Sequence, residues 1–436
     1  MSRILLSAAV VSLALINSRA CWAQGETAVT HDRLLHESAL LEETAGWDDL
    51  EAQGLAPCEP VGECCCSSCV LGEPWQLFPE RCGWIAGGWL SAGIFENEFG
   101  DRTNGPLGFN DYANGFLSHQ NWLFIERTRQ SECGCWDWGL RADFVHGADG
   151  PDTQAFGDEG WDFGWNTSNN NVYGAAIPQL YLELGNEDLS IKLGHFYTII
   201  GYEVVQAPDN FFFSHSYTMY YGEPFTHTGA LATYNVSDDV AFMGGWTAGW
   251  DSGWENRFDA STFLGGVALN LTEETSMTYA LVAGDFGNGA PNNAGDIYMH
   301  SVVLSRQISD RLTHILQSDV GNNSGLGPGD SEWYGVNSYL LYMVNDCWSI
   351  GQRSEWFRDD DGARVSSPNG GFNGAAGSYY ELTVGINYRP NANVLFRPEI
   401  RWDWFEADRN VAALPWSDLN NQDRQFAYGF DAILTY

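Results

Sequence analysis

The chain has 436 residues, with 57 acidic against 20 basic and a formal net charge of −37. A chain this acidic is repelled by phosphate backbones, which removes nucleic acid from the candidate partners. Its 14% aromatic content and 49 glycines suit turn-rich β structure, and supply enough rings for the two aromatic girdles of a membrane barrel.

Residues 1–23 read as a secretory signal. Arg3 supplies the positive start, Ile4 to Ile16 the apolar run, and cleavage follows Ala23. Lipidation of Cys21 is the weaker alternative, because Ser18-Arg19-Ala20 fits that signal poorly. No later segment approaches the ~20 apolar residues of a membrane helix, so a membrane location requires a closed set of strands. Residues 24–82 read as a short cysteine-rich periplasmic tether. Within it, Leu34, Leu35, Leu41 and Leu50 give one acidic amphipathic helix a weak apolar period. A coiled coil or a cell-wall contact is the sharper alternative for this segment.

From Gly83 onward, apolar and polar residues alternate in runs separated by turn signals. The stretch Trp136 to Phe144 shows the pattern. Trp136, Trp138, Leu140, Ala142 and Phe144 share one face, and Asp137, Gly139, Arg141 and Asp143 share the other. Sixteen such strands are predicted, at 84–96, 119–129, 136–146, 177–185, 189–198, 228–236, 239–251, 261–271, 275–286, 296–307, 311–320, 333–345, 347–358, 378–389, 393–406 and 424–436. Most reach the ~9–11 residues that a tilted membrane strand needs, where soluble strands average ~5–6.

The connections decide between a soluble sandwich and a barrel. Long segments at 97–118, 147–176 and 199–227 alternate with tight turns such as Gly185-Asn186-Glu187-Asp188 and Ser237-Asp238. Short periplasmic turns and longer outer loops produce this rhythm in a transmembrane barrel, and a sandwich has no reason to keep it. The fold class expected is therefore all-β, a transmembrane antiparallel barrel of about sixteen strands over residues 83–436. Its apolar faces meet lipid, and Asp137, Arg141 and Asp143 face inward. The last strand ends on an aromatic, with Phe426, Tyr428, Phe430, Ala432, Leu434 and Tyr436 on one face.

Four stretches carry a family resemblance: WGLRADFVHGAD (138–149), QLYLELGNEDLSIKLGHFYTIIGYE (179–203), NFFFSHSYTMYYGEPFTHTGA (210–230) and QRSEWFRDD (352–360). With them the chain resembles the OmpL-like β-barrel porins of bacterial outer membranes, from about Trp84 to Tyr436. The resemblance implies an outer-membrane pore for the passive diffusion of small solutes or ions. It supplies no established substrate and no catalytic set, and neither a cofactor nor a metal is expected.

Candidate pore-lining residues follow from strand parity. If Phe396, Ile400, Trp402 and Trp404 face lipid, then Arg397, Glu399, Arg401 and Asp403 face inward. Arg353 and Glu355 join them if Trp348, Ile350 and Trp356 face out. A four-residue turn setting Leu184 opposite Leu189 places Glu183 and Lys192 diagonally across the β pair. Left in lipid, the bases among these would each cost about 2–4 kcal/mol at the midplane, and the acids less. Pro398, mid-strand, predicts a bulge or a local break. These charges select ions, brace the wall, or do both.

The segment 199–227 is the third long connection. It carries Phe211, Phe212, Phe213, Tyr217, Tyr220, Tyr221 and Phe225. In general porins the third outer loop narrows the lumen. By that analogy this segment is the constriction candidate, with polar members Glu203, Asp209, His215 and Glu223. Packing against the barrel rim or a neighbouring subunit is the alternative. The disulfide candidates are Cys58, Cys64, Cys65, Cys66, Cys69, Cys82, Cys133, Cys135 and Cys347, all on the periplasmic side of this topology. One CxxC, Cys66 to Cys69, is weak support for zinc. Asp359-Asp360-Asp361-Gly362 lacks a full calcium-loop spacing.

Neither GxSxG nor HExxH occurs, and the reading is not an enzyme. A secreted β-rich, glycan-active enzyme is the least favoured alternative. A closed structural or adhesive envelope barrel, anchored through its cysteine-rich tail, is the nearer one. The partners expected are outer-membrane lipid, small solutes or ions, further copies of the chain (a trimer by analogy), and a cell-wall or disulfide contact through the N-terminal segment.

Overall fold

A computed structural model describes residues 69–436 apart from 101, 114, 131–133, 157–160, 168–171, 255–258, 291–292, 325–329, 366–374, 409–413 and 417–421, and gives no side-chain burial for 287–290 and 293–294. The signal segment, most of the tether with its candidate helix, and Cys58, Cys64, Cys65, Cys66 and Cys133 lie outside the described residues.

The strands, in chain order, are β1 (Phe78–Arg81), β2 (Trp84–Asn97), β3 (Leu117–Arg127), β4 (Asp137–Gly147), β5 (Gly174–Gly185), β6 (Leu189–Tyr197), β7 (Thr226–Ser237), β8 (Val240–Thr247) and β9 (Ser261–Thr272). They continue as β10 (Thr275–Ala290), β11 (Asn293–Ser309), β12 (Leu312–Ser324), β13 (Asp330–Asn345), β14 (Trp348–Asp359), β15 (Gly377–Asn391), β16 (Val394–Ala407) and β17 (Arg424–Thr435). Each of β2–β17 pairs antiparallel with its sequence neighbours, and β17 pairs with β2 from Ala427↔Asn97 to Thr435↔Trp89. That last pairing closes a sixteen-stranded barrel and removes its open edges. One four-residue helix, α1 (Gly150–Thr153), sits in the second long connection.

The alternation works as its chemistry requires. Outward rings such as Trp136 (55% exposed) and Phe144 (42%) contrast with Asp143 on the inner face of β4, which is buried. All sixteen predicted strands are present. Four details differ from expectation. First, β1 lies within the tether segment. It pairs Phe78↔Ala86 and Arg81↔Trp84, on the stretch of β2 below the end of β17.

Second, β8 ends at Thr247 rather than 251. Gly249 (φ 110) and Asp251 (φ 49) turn the chain, and the Asp251 carboxylate accepts the Phe225 and Thr226 N–H groups at 2.6 and 2.8 Å. Third, the β10–β11 connection is only 291–292, on the side where the other connections are long. Fourth, the turn after β5 spans 186–188. Asn186 Oδ1 accepts the Asp188 and Leu189 N–H groups, so Leu184 meets Ile191 and Glu183 lies directly opposite Lys192. The diagonal arrangement is therefore corrected by two residues.

At Pro398 the ladder to β15 lapses between Gly385↔Glu399 and Tyr388↔Phe396 without a change of register. Pairing to β17 runs through Pro398↔Phe430. The missing proline N–H produces a break and no bulge.

Candidate functional site

The chain between β6 and β7 runs inside the barrel. Its arms are shaped locally. Asn210 bonds back to Val204 N–H and to the Val204 and Gln206 carbonyls, beside a helical turn at Ala207–Asp209 and a wider one at Thr218–Gly222. This backbone has no strand partner, so its polar groups need others. The inner faces of β13–β17 provide them. Glu399 accepts Phe213 and Ser214 N–H at 2.7 and 3.1 Å. Glu355 accepts Tyr217 and Thr218 N–H at 2.8 and 2.6 Å, and the Thr218 hydroxyl at 2.7 Å.

Arg353, Arg397 and Arg401 serve the carbonyls between Ala207 and His215. Arg397 donates to Ala207, Asn210 and Phe212 oxygens and pairs with Asp431 at 2.7 Å. Arg401 donates to His215 O and pairs with Asp403 at 2.8 Å. Arg353 donates to Ser214 O, Glu203 (2.6 Å) and Glu381 (2.7 Å), and is fully buried. Charge-assisted bonds of this kind are the strong ones. Burial alone would raise the Glu203 carboxyl, but Arg353, His215 and the Ser216 N–H overcome it and hold it below the usual carboxylate range.

On the other arm Arg364 donates to the Tyr221 carbonyl at 2.6 Å. Glu223 accepts from Gln317 and faces Asp319. Burial, then the Asp319 charge, push the Glu223 carboxyl well above its ordinary range. The opposite wall is apolar. Leu231, Met243, Leu264, Val282, Ile297 and Met299 are all buried, in one cluster with Phe196, Tyr217, Tyr221 and Trp333.

The first long connection also folds in. Phe109 adopts φ 65, a conformation costly for a non-glycine residue, and its ring packs on His215 (4.8 Å) and Tyr220 (5.5 Å). Its N–H donates to Asp152, which also accepts from the Tyr220 hydroxyl. Burial, then the Asp152 charge, raise Asp111 to about 8, and burial raises Asp152 to about 6. Carboxyls with raised values bind their protons more tightly when folded, so this junction is strongest below the ordinary carboxyl value of 3.8 and weakens as pH rises from there through about 6 and about 8. Hydrogen exchange at the Phe109 amide should lose protection across that window. Protection independent of pH would refute the assignment.

The remaining predicted residues sit on the β3–β6 side. Asp137 pairs with Arg127 at 3.2 Å. Arg141 bridges Glu126 (2.6 Å) and Asp143 (2.5 Å) over the Phe124 ring. Glu183 pairs with Arg129 at 3.1 Å, and Lys192 lies 5.0 Å from the Tyr181 ring centre. Asp209, in the first helical turn, is half-buried. Cys69 and Cys347 have adjoining sulfurs with Cα atoms 5.9 Å apart. Cys82 is exposed and Cys135 half-exposed.

Asp359 accepts the Ala363, Arg364 and Val365 N–H groups and so caps its own loop. Among the described residues no group of three or more His, Cys, Asp or Glu is arranged to hold a metal. Sequence reasoning missed Glu381, Asp431, Gln317 and the inward fold of the first connection. Parity marks Glu381, Asp431 and Gln317, each on the inward phase of its strand. Nothing in the sequence pattern marks the rest.

A search of characterised proteins found no match. Solved structures resemble the chain at low identity. The outer membrane channel DcaP of Acinetobacter baumannii matches with TM-score 0.55 at 9% identity, over 83% of this chain and 100% of that one. An anion-selective porin from Comamonas acidovorans gives 0.53 at 10%, over 81% and 99%. OmpT of Vibrio cholerae, in a trimer form, gives 0.50 at 10%, over 81% and 99%. These likenesses concern the fold. The family model "Putative beta-barrel porin-2, OmpL-like" matches residues 85–436. The chain belongs to that OmpL-like β-barrel porin family.

Proposed function

We propose that the protein is exported by its N-terminal signal to the outer membrane. There it passes small hydrophilic solutes or ions by diffusion, without chemistry, and the segment between β6 and β7 is its constriction. The observation that carries this reading is the docking of that segment on the inner wall through Arg353, Glu355, Arg397, Glu399 and Arg401. The inward charges at Asp137, Arg141, Asp143, Glu183 and Lys192 lie nearer the short-turn end and shape the approach from the periplasm. The acidic excess gives a mild cation preference by raising local cation concentration, which the wall arginines moderate. Cys69 and Cys347 form a disulfide that ties the N-terminal segment to the rim.

A second reading, a closed structural barrel, is favoured by one observation. Both the docked segment and the apolar wall opposite it are buried. Single-channel recording in a planar bilayer under a KCl gradient separates the two. Discrete openings with a cation-sided reversal potential are expected of the purified chain. Silence from folded wild type, with openings restored when residues 206–221 are replaced by a short Gly-Ser linker, would establish the closed barrel instead.

A further inference from the structure

On β14 the outward side chains run Trp348, Ile350, Gln352, Ser354 and Trp356 from the short-turn end. The two tryptophans, 42% and 38% exposed, mark the levels of the two interfacial girdles. Gln352 and Ser354 therefore lie between them, at the depth of the hydrocarbon. The register extends this polar island sideways. Ser338 of β13 sits directly opposite Ser354. On β12, His314 and Ser318 flank Leu316, the residue opposite Ser338.

The island bonds partly to itself. The His314 Nε2 and Ser338 Oγ atoms are 3.0 Å apart, and Gln352 Nε2 donates to Ser354 Oγ at 3.1 Å. Among the described residues, no group meets the Gln352 carbonyl oxygen or the Ser318 hydroxyl. The strands two and three further round the barrel have no such feature. The outward residues of β16 are Phe396, Pro398, Ile400, Trp402 and Trp404, and those of β17 are similarly apolar from Phe426 to Leu434.

Acyl chains offer neither donors nor acceptors, so polar groups at this depth remain unsatisfied against lipid. A neighbouring protein surface with polar groups at the same depth would satisfy them. Copies in one bilayer are related by rotation about the membrane normal, which preserves depth. A mid-depth polar patch on one copy therefore meets the same band on the next.

We propose that the outer face of β12–β14 is the surface through which copies of this chain associate in the outer membrane. The proposal rests on the membrane-channel reading above. The surface is read by hydroxyl, amide and imidazole groups surrounded by Leu and Val, with the Gln352 amide as its centre.

The test is the mass of the protein–detergent complex by size exclusion with light scattering, after extraction in mild detergent. Wild type is expected at a multiple of the protomer mass. The variant Gln352→Leu/Ser354→Leu, better suited to lipid, is expected as a folded monomer with unchanged conductance per barrel. The control Ile400→Leu on β16 keeps the wild-type mass. A monomeric wild type, or a double variant that keeps the oligomer, overturns the proposal. If the double variant fails to insert, Ser338→Cys with a bifunctional maleimide decides. A cross-linked dimer absent from wild type supports the surface, and its absence overturns it. An oligomer without conductance would count against the channel reading and leave the surface standing.

Discussion

Replacing Arg353 by methionine is expected to release the inner segment and raise single-channel conductance severalfold. The guanidinium is fully buried and joins three partners that no other base reaches in the same way: Glu203 and Ser214 on the segment and Glu381 on β15. Removing it strands two buried carboxylates and a carbonyl. Breaking a buried pair from one side costs about 3–5 kcal/mol, comparable with the total stability of many small elements. The barrel ladder does not depend on these bonds, so the cost falls on the docked segment. Arg353→Lys keeps the charge but loses the planar fork, and should give an intermediate conductance. Unchanged conductance in Arg353→Met, with the segment still resistant to protease, would show that the apolar contacts hold it alone.

The contrast between wall and segment also explains what the sequence could reveal. Period-two alternation is imposed by lipid on one side, so it is written into every strand and the barrel is legible from Trp84 to Tyr436. Parity alone sets Arg397 and Asp403 on the face opposite Phe396, Trp402 and Trp404, and both side chains are buried there. A loop has no such period. The docking of Phe213 to Thr218 uses backbone N–H groups, which every residue possesses, so no side-chain pattern announces that Glu399 and Glu355 are their acceptors.

The inward turn at Phe109 needs a positive φ that a phenylalanine does not advertise. The β5–β6 register depended on one side chain, Asn186, capturing two amides and shortening the turn. β1 was illegible for another reason. Four residues pairing with the free lower stretch of β2 leave too short a run for any period to show.

Reduction, or Cys347→Ser, is expected to free the N-terminal strap without opening the barrel. The strap runs along the short-turn rim and is tied at a few points. Cys69 meets Cys347 in the β13–β14 turn, with a Cα separation of 5.9 Å that suits a disulfide. Leu71 accepts the Ala392 N–H at 3.0 Å. Trp75 exchanges two bonds with Asn393, at 2.6 and 2.8 Å. Val70, Trp75 and Leu77 remain exposed, so little apolar burial holds the segment down. Cross-links of this type contribute about 2–4 kcal/mol by limiting the unfolded chain. Here the relevant unfolding is local, because β1 anchors the far end on β2. Hydrogen exchange over residues 70–77 should rise sharply on reduction, while β2–β17 keep their protection and conductance stays the same. Equal exchange with and without reductant, or alkylation of both thiols in the unreduced protein, would show that the rim hydrogen bonds hold the strap by themselves.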